Sequence, residues 1–281
     1  MHAVRFGTSS WTEKSWVGSF YPAGTRPAEM LPLYAARFDT VEVDSTYYRR
    51  PSASAVARWA EVTPPGFVLS TKLPRTCFLG GDARELDAER VLSVEALGEE
   101  VARHAEVLAG LGSKCGPVLI QCPWFSPAVF RDLSAFLARL EPFLAQLPPG
   151  PRFALEVRNR GWLHDELLEL LRQRRVALCL AEVRGMPHPA ELLERRDLLT
   201  TDFFYGRLIG DRSAVERLTQ SFDKPVVDQS ASLARWTRAV TVLATRADGW
   251  VYANNHFAGF APHTADALRT ACRAQGTAPT N

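Results

Sequence analysis

The chain has 281 residues, of which 46% are hydrophobic, and it carries 33 basic against 31 acidic side chains. That length admits one large domain or two small ones. The apolar share excludes a disordered or collagen-like chain, and a net charge of +2 gives no strong polyanion-binding signature. No apolar run reaches the roughly 18 residues of a membrane span, and Met1 to Gly7 holds no signal-peptide core. A cytoplasmic protein is therefore expected.

Short apolar runs alternate with segments of helical period. Val4 to Ser9 reads as a first strand, and Pro27 to Phe38 as a helix with Pro27 in its first turn. Val41 to Asp44 is a second strand. Ser52 to Glu61 is a helix that Ser52 can cap. Phe67 to Lys72 is a third strand, followed by a polar, Gly-containing stretch and a helix from about Asp87 to Ala109. Pro117 to Gln121 and Pro127 to Gln146 make a fourth strand and helix. Arg152 to Val157 and His164 to Arg174 make a fifth pair. Val176 to Ala181 is a sixth strand, with a weak helix near Ala190 to Arg195. Phe203 to Ile209 is a seventh strand, followed by a helix over Ser230 to Arg246. Trp250 to Asn254 and Ala265 to Arg273 close the series, and 274–281 is expected to be a frayed tail.

Parallel strands need crossover connections, and eight strand–helix units are the count of a closed (β/α)8 barrel, here a single α/β domain over 1–273. A doubly wound sheet is the alternative, but no GxGxxG follows the first strand.

The five cysteines lack CxxC spacing, so reduced, mostly buried thiols are expected rather than a disulfide set or a zinc site. The six histidines form no HExxH or HxH pair.

Buried parallel strands should be almost wholly apolar, yet several carry polar residues near their C-terminal ends. In Arg152 to Arg158, Phe153, Leu155 and Val157 share one face, while Arg152, Ala154, Glu156 and Arg158 share the other. The apolar face should meet the helices, so the charged face should point into the barrel. The same logic selects Glu42, Lys72, Gln121, Arg207, Asn254 and Asn255, and places Glu182 just past strand six. Isolated buried charges are costly, so these groups must pair with one another, with water or with a ligand. One reading is a structural ion-pair network. The other is an active site, because barrel sites lie at the C-terminal ends of strands. On the second reading Glu42 and Glu156 serve as general acid and base. Lys72 binds an anion or moves a proton, and Arg158 and Arg207 hold an oxyanion.

Two loops are unusually aromatic. Trp11, Trp16, Phe20 and Tyr21 follow strand one, and Tyr47-Tyr48-Arg49-Arg50 follows strand two. They suit a hydrophobic lid over the barrel, or a stacking platform for a sugar or base built on Trp11 and Tyr47. His256 stands beside Asn254 and Asn255 and reads either as a ligand or acid–base group or as a structural histidine.

Taken together, these segments resemble domain-of-unknown-function family 72 (DUF72), the YecE-like proteins. The resemblance rests on Gly7-Thr8-Ser9-Ser10-Trp11 with Trp16-Val17-Gly18 and Phe20-Tyr21-Pro22; on Val41 to Arg49; on Lys72-Leu73-Pro74-Arg75; on Gly116 to Gln121; on Ala154 to Arg158 with Trp162; and on Asn254-Asn255-His256 with Gly259 and Ala261-Pro262. The resemblance implies a TIM barrel and leaves the activity open. The chain departs from that family's pattern at Asp44, where Asn is common, and at Ile209 and Phe260, where the family often has His.

Two functions follow as expectations. The first is a hydrolase, nuclease-like or isomerase-like enzyme on a phosphate- or sugar-containing substrate such as a nucleotide or nucleic acid. A divalent metal held by groups such as Glu42, Glu156, Glu182 and His256 is an option there. The second is a non-catalytic protein that binds a small anionic ligand or single-stranded nucleic acid through the aromatic loops, Arg158 and Arg207.

Overall fold

The computed structural model describes residues 2–80 and 86–276. Eight parallel strands form one sheet: β1 (Val4–Thr8), β2 (Thr40–Val43), β3 (Val68–Lys72), β4 (Cys115–Gln121), β5 (Phe153–Glu156), β6 (Val176–Val183), β7 (Phe203–Gly210) and β8 (Asp248–Ala253). Their order is β1-β8-β7-β6-β5-β4-β3-β2, so the sheet curls into a TIM-type barrel with β1 and β2 meeting at a seam. The α-helices are α1 (Pro27–Ala35), α2 (Ala53–Val62), α3 (Val94–Leu108), α4 (Leu133–Ala145), α5 (Asp165–Arg174), α6 (Pro189–Leu193), α7 (Arg212–Leu218), α8 (Ser230–Leu243), α9 (Asn255–Ala258) and α10 (Ala261–Ala274). Among the described residues, no helix is long and apolar enough to cross a membrane.

The strands' period-two pattern sorts their side chains. Phe153, Leu155 and Val157 join the large core between strands and helices. Val68, Leu119, Ala154, Ala177, Cys179, Phe203, Tyr205, Trp250 and Tyr252 form a separate cluster inside the barrel. The interior is therefore largely apolar at its middle level, with most of its charged side chains near the strands' C-terminal ends and Arg5 at the N-terminal end.

The β1/β2 seam lacks a hydrogen-bonded ladder. Tyr34 of α1 fills the gap: its hydroxyl accepts from the Thr8 N–H at 2.8 Å and donates to the Thr40 carbonyl at 3.1 Å. Gly7 is needed beside it, because a Cβ there would lie 2.2 Å from the Thr40 carbonyl oxygen.

Caps move several expected boundaries. Ser52 accepts from the Ala55 N–H and starts α2 where expected. The helix expected from Asp87 begins only at Val94, after a turn in which Leu92 takes φ 56° and Ser93 caps the Ala96 N–H. The helix expected from Pro127 begins at Leu133, capped by Asp132. Helix α10 starts four residues earlier than expected and contains Ala274, the first residue of the expected tail. Residues 277–281 of that tail, and 81–85 of the polar stretch after β3, lie outside the described residues. The short helices α7 and α9 had no periodic signal long enough to announce them. All five cysteines are free thiols.

Candidate functional site

Five polar side chains from five strands converge at the barrel's C-terminal end. Arg207 of β7 is the hub. It donates through Nη2 to Glu42 Oε1 at 2.9 Å, and through Nη1 to Glu156 Oε2 at 2.5 Å and Gln121 Oε1 at 2.8 Å. Lys72 of β3 donates to the same Gln121 oxygen at 3.0 Å, approaches Glu42 Oε1 at 3.7 Å and pairs with Asp44. Glu42 Oε2 accepts from the Tyr205 hydroxyl at 2.7 Å. Glu156 Oε1 accepts from Arg158 Nε at 2.5 Å, and Arg158 Nη2 pairs with the same oxygen.

Three cations, Lys72, Arg158 and Arg207, thus face three carboxylates, Glu42, Asp44 and Glu156. Glu42 and Glu156 have no exposed surface. Charges this deep persist only when each is paired and hydrogen-bonded. Burial by itself would raise the Glu156 carboxyl, but the guanidiniums of Arg207 and Arg158, with Lys72, overcome it and hold the group down at about 2. The Asp44 carboxyl is likewise lowered: Lys72 outweighs burial. Burial and the Glu42 carboxylate push the Tyr205 phenol well up, so it stays a donor. Sequence reasoning marked Asp44 as the second acid alternating with the valines of strand two and as a departure from a family pattern, but gave it no role in the site. Its role as the counter-charge of Lys72 depends on the 3₁₀ turn Asp44–Tyr47 that follows β2.

Beside this network lies a cleft of about 620 Å³ lined by Tyr47, Gln121, Cys122, Pro123, Trp124, Arg158, Arg160, Arg184, Gly185 and Met186. Among the described residues, three arginines line it and no carboxylate does. Trp124 is 62% exposed. Tyr47 lies 5.8 Å beneath the Lys72 ammonium, and burial pushes its phenol up to about 12. Arg160, Arg184 and Trp124 were not singled out from the sequence. They sit in loops, where no strand alternation marks which way a side chain points.

The other expected site residues are placed elsewhere. Trp11 is buried and packs edge-on against Trp59 of α2, with ring centroids 5.9 Å apart. Its loop, with Trp16 and Tyr21 also buried, packs into the core between strands and helices, which leaves the Trp11 ring no free face for stacking. Asn254 caps α9 by accepting from the His256 N–H at 3.0 Å, and Asn255 accepts from the Ala261 N–H at 3.0 Å at the start of α10. His256 turns to Asn254 and to Glu216 of α7, and burial lowers its imidazole. Glu182 faces the helix layer, accepting from Trp236 Nε1 at 2.6 Å and Ser232 Oγ at 2.7 Å of α8. Alternation along β6 puts Glu182 with the outward Leu178 and Leu180, a signal the sequence already held.

The metal option fails on the chemistry of the donors. Among the described residues, no three His, Cys, Asp or Glu side chains gather as a ligand set. Each oxygen of Glu42 and Glu156 already takes a proton donor, and the Arg207 guanidinium lies between the two carboxylates.

The family model for "Protein of unknown function DUF72" matches residues 5–281. The chain belongs to the DUF72 family. A DUF72 family protein from Thermotoga maritima shares 24% sequence identity and superposes with a TM-score of 0.69, covering 98% of this chain and 99% of that one. A DUF72 family protein from Enterococcus faecalis shares 18% identity at a TM-score of 0.68, covering 97% and 98% of the two chains. Those likenesses carry the DUF72 barrel fold. No curated protein matches the chain.

Proposed function

We propose that the mouth of the barrel binds a small phosphate-bearing ligand of nucleotide size. The observation that carries this reading is the composition of the cleft wall: Arg158, Arg160 and Arg184 line it, the first paired behind the wall with Glu156 and the last 3.7 Å from Asp211, next to exposed Trp124 and half-buried Tyr47. Guanidinium forks match phosphate oxygens, and an exposed indole offers a face to a base or sugar. A volume near 620 Å³ suits such a molecule. The five free thiols suit the reducing cytoplasm.

Binding is favoured over hydrolysis because the groups expected to catalyse are committed. Glu156 is held ionised at about 2, far from the range of a general acid at neutral pH, and Lys72 is paired with Asp44. On this reading Glu42, Lys72, Glu156 and Arg207 form the rigid floor that aims Arg158 and Gln121 at the ligand.

The test is a titration with nucleoside monophosphates, read by tryptophan fluorescence and calorimetry. Saturable binding that weakens with salt is expected, with an affinity loss of about tenfold or more in Arg160→Ala combined with Arg184→Ala. Affinity unchanged in that double variant would overturn the placement. Absence of binding to every phosphate compound tried would overturn the ligand class. Turnover of a phosphodiester that disappears in Glu156→Gln would restore the catalytic reading.

A further inference from the structure

The opposite end of the barrel holds a second cationic site. Arg5 enters the barrel from β1, and Arg152 stands just before β5. Their guanidinium carbons lie 5.7 and 5.2 Å from the Trp250 ring centroid. Arg152 also stands 5.7 Å from the Phe203 ring centroid, and neither guanidinium makes an ion pair with a carboxylate of the described residues, so both are free to turn to an anion between them. Two donors are also left over: Arg5 Nε and Trp250 Nε1 are both buried without a hydrogen-bond partner among the described residues. All three side chains line one open cleft of about 1140 Å³ at the N-terminal ends of the strands.

Nearby acidic groups do not supply the missing charge. Glu99 pairs with Arg103 at 2.8 Å, Asp248 accepts from the Ala3 N–H at 3.0 Å and meets His2 at 3.4 Å, and Glu106 stands exposed on α3. A native fold rarely leaves two buried N–H groups unanswered in one place.

We propose that Arg5, Arg152 and Trp250 form an oxyanion site for a phosphate group at the base of the barrel, separate from the cleft at its mouth. A phosphate would lie between the guanidiniums, accept from Arg5 Nε and both forks, and take the indole N–H after a small shift of the ring. The room beyond it, walled by Pro148 and Leu108, fits the organic body of a phosphomonoester.

The experiment uses the full chain with Arg160→Ala and Arg184→Ala in place, so that binding at the mouth is already weakened. Inorganic phosphate is titrated into this background by calorimetry. One saturable site is expected to remain. Adding Arg152→Ala should weaken it about tenfold or more, while Arg152→Lys should weaken it less, because charge survives but the fork does not. Arg152 is exposed, so its replacement leaves the folded barrel intact for the measurement. Arg5→Gln should act as Arg152→Ala does wherever the variant folds. Unchanged phosphate affinity in Arg152→Ala, or no phosphate binding in the background variant, would overturn the site. Failure at the mouth with phosphate still bound here would separate this proposal from the previous one.

Discussion

Replacing Glu156 by Gln tests the charged floor of the barrel most directly. In the folded protein the carboxyl titrates at about 2, against 4.5 for the unperturbed side chain. Because the folded value is depressed, the ionised group stabilises the fold fully above pH 4.5, and that stability is lost as the pH falls toward 2. At about 1.4 kcal/mol per pH unit, the difference amounts to about 3 kcal/mol. Gln keeps the shape but removes the charge that faces Arg207 and Arg158. Breaking a buried pair in this way costs about 3–5 kcal/mol at neutral pH. Urea unfolding of wild type and variant at pH 7, 5, 4 and 3 measures the gap between them. It should be largest at pH 7, hold to about pH 4.5, and shrink by about 2 kcal/mol by pH 3, as the wild-type carboxylate loses its advantage. A gap that stays constant from pH 7 to pH 3 would refute the claim that the ion pairs, and not the shape of Glu156, hold the site together.

Three further outcomes are expected. Tyr34→Phe removes the hydroxyl that bridges Thr8 and Thr40, so it should lower stability by about 1–3 kcal/mol and speed hydrogen exchange at the Thr8 amide; unchanged exchange would deny the seam its bridge. Gly7→Ala forces a methyl toward a backbone carbonyl that has little room to move, and a loss of about 3 kcal/mol in urea unfolding is expected. Native thiol labelling at pH 8 should be slow at Cys77, Cys122, Cys179 and Cys272, because all four are buried, while burial pushes the thiols of all five cysteines up. Cys115, only half-buried, should react first; rapid labelling of Cys179 would mean the barrel interior opens readily.

Much of the site was legible because it is built on strands. Period-two alternation put Glu42, Lys72, Gln121, Glu156 and Arg207 on inward faces, and parallel strands bring their C-terminal ends to one rim. The same rule, applied strictly, would have sent Glu182 outward with Leu180. Loop residues escaped it. Trp11 looked like a platform because it is aromatic and lies in a loop, but Trp59, 48 residues later in the sequence, covers its ring. Asn254 and Asn255 looked like ligands because they end a strand, but they cap the helices that begin there.

The eight strand–helix units, the single barrel and the inward faces of the strands follow from local periodicity and from the need of parallel strands for crossovers, so they were readable in the chain alone. Which charge meets which emerged only with the folded barrel: Arg207 bridges two carboxylates, Asp44 answers Lys72, Tyr34 closes the seam, and Arg5 and Arg152 make no ion pair with a carboxylate of the described residues. Those pairings depend on distances between strands far apart in the chain, and no local pattern encodes them.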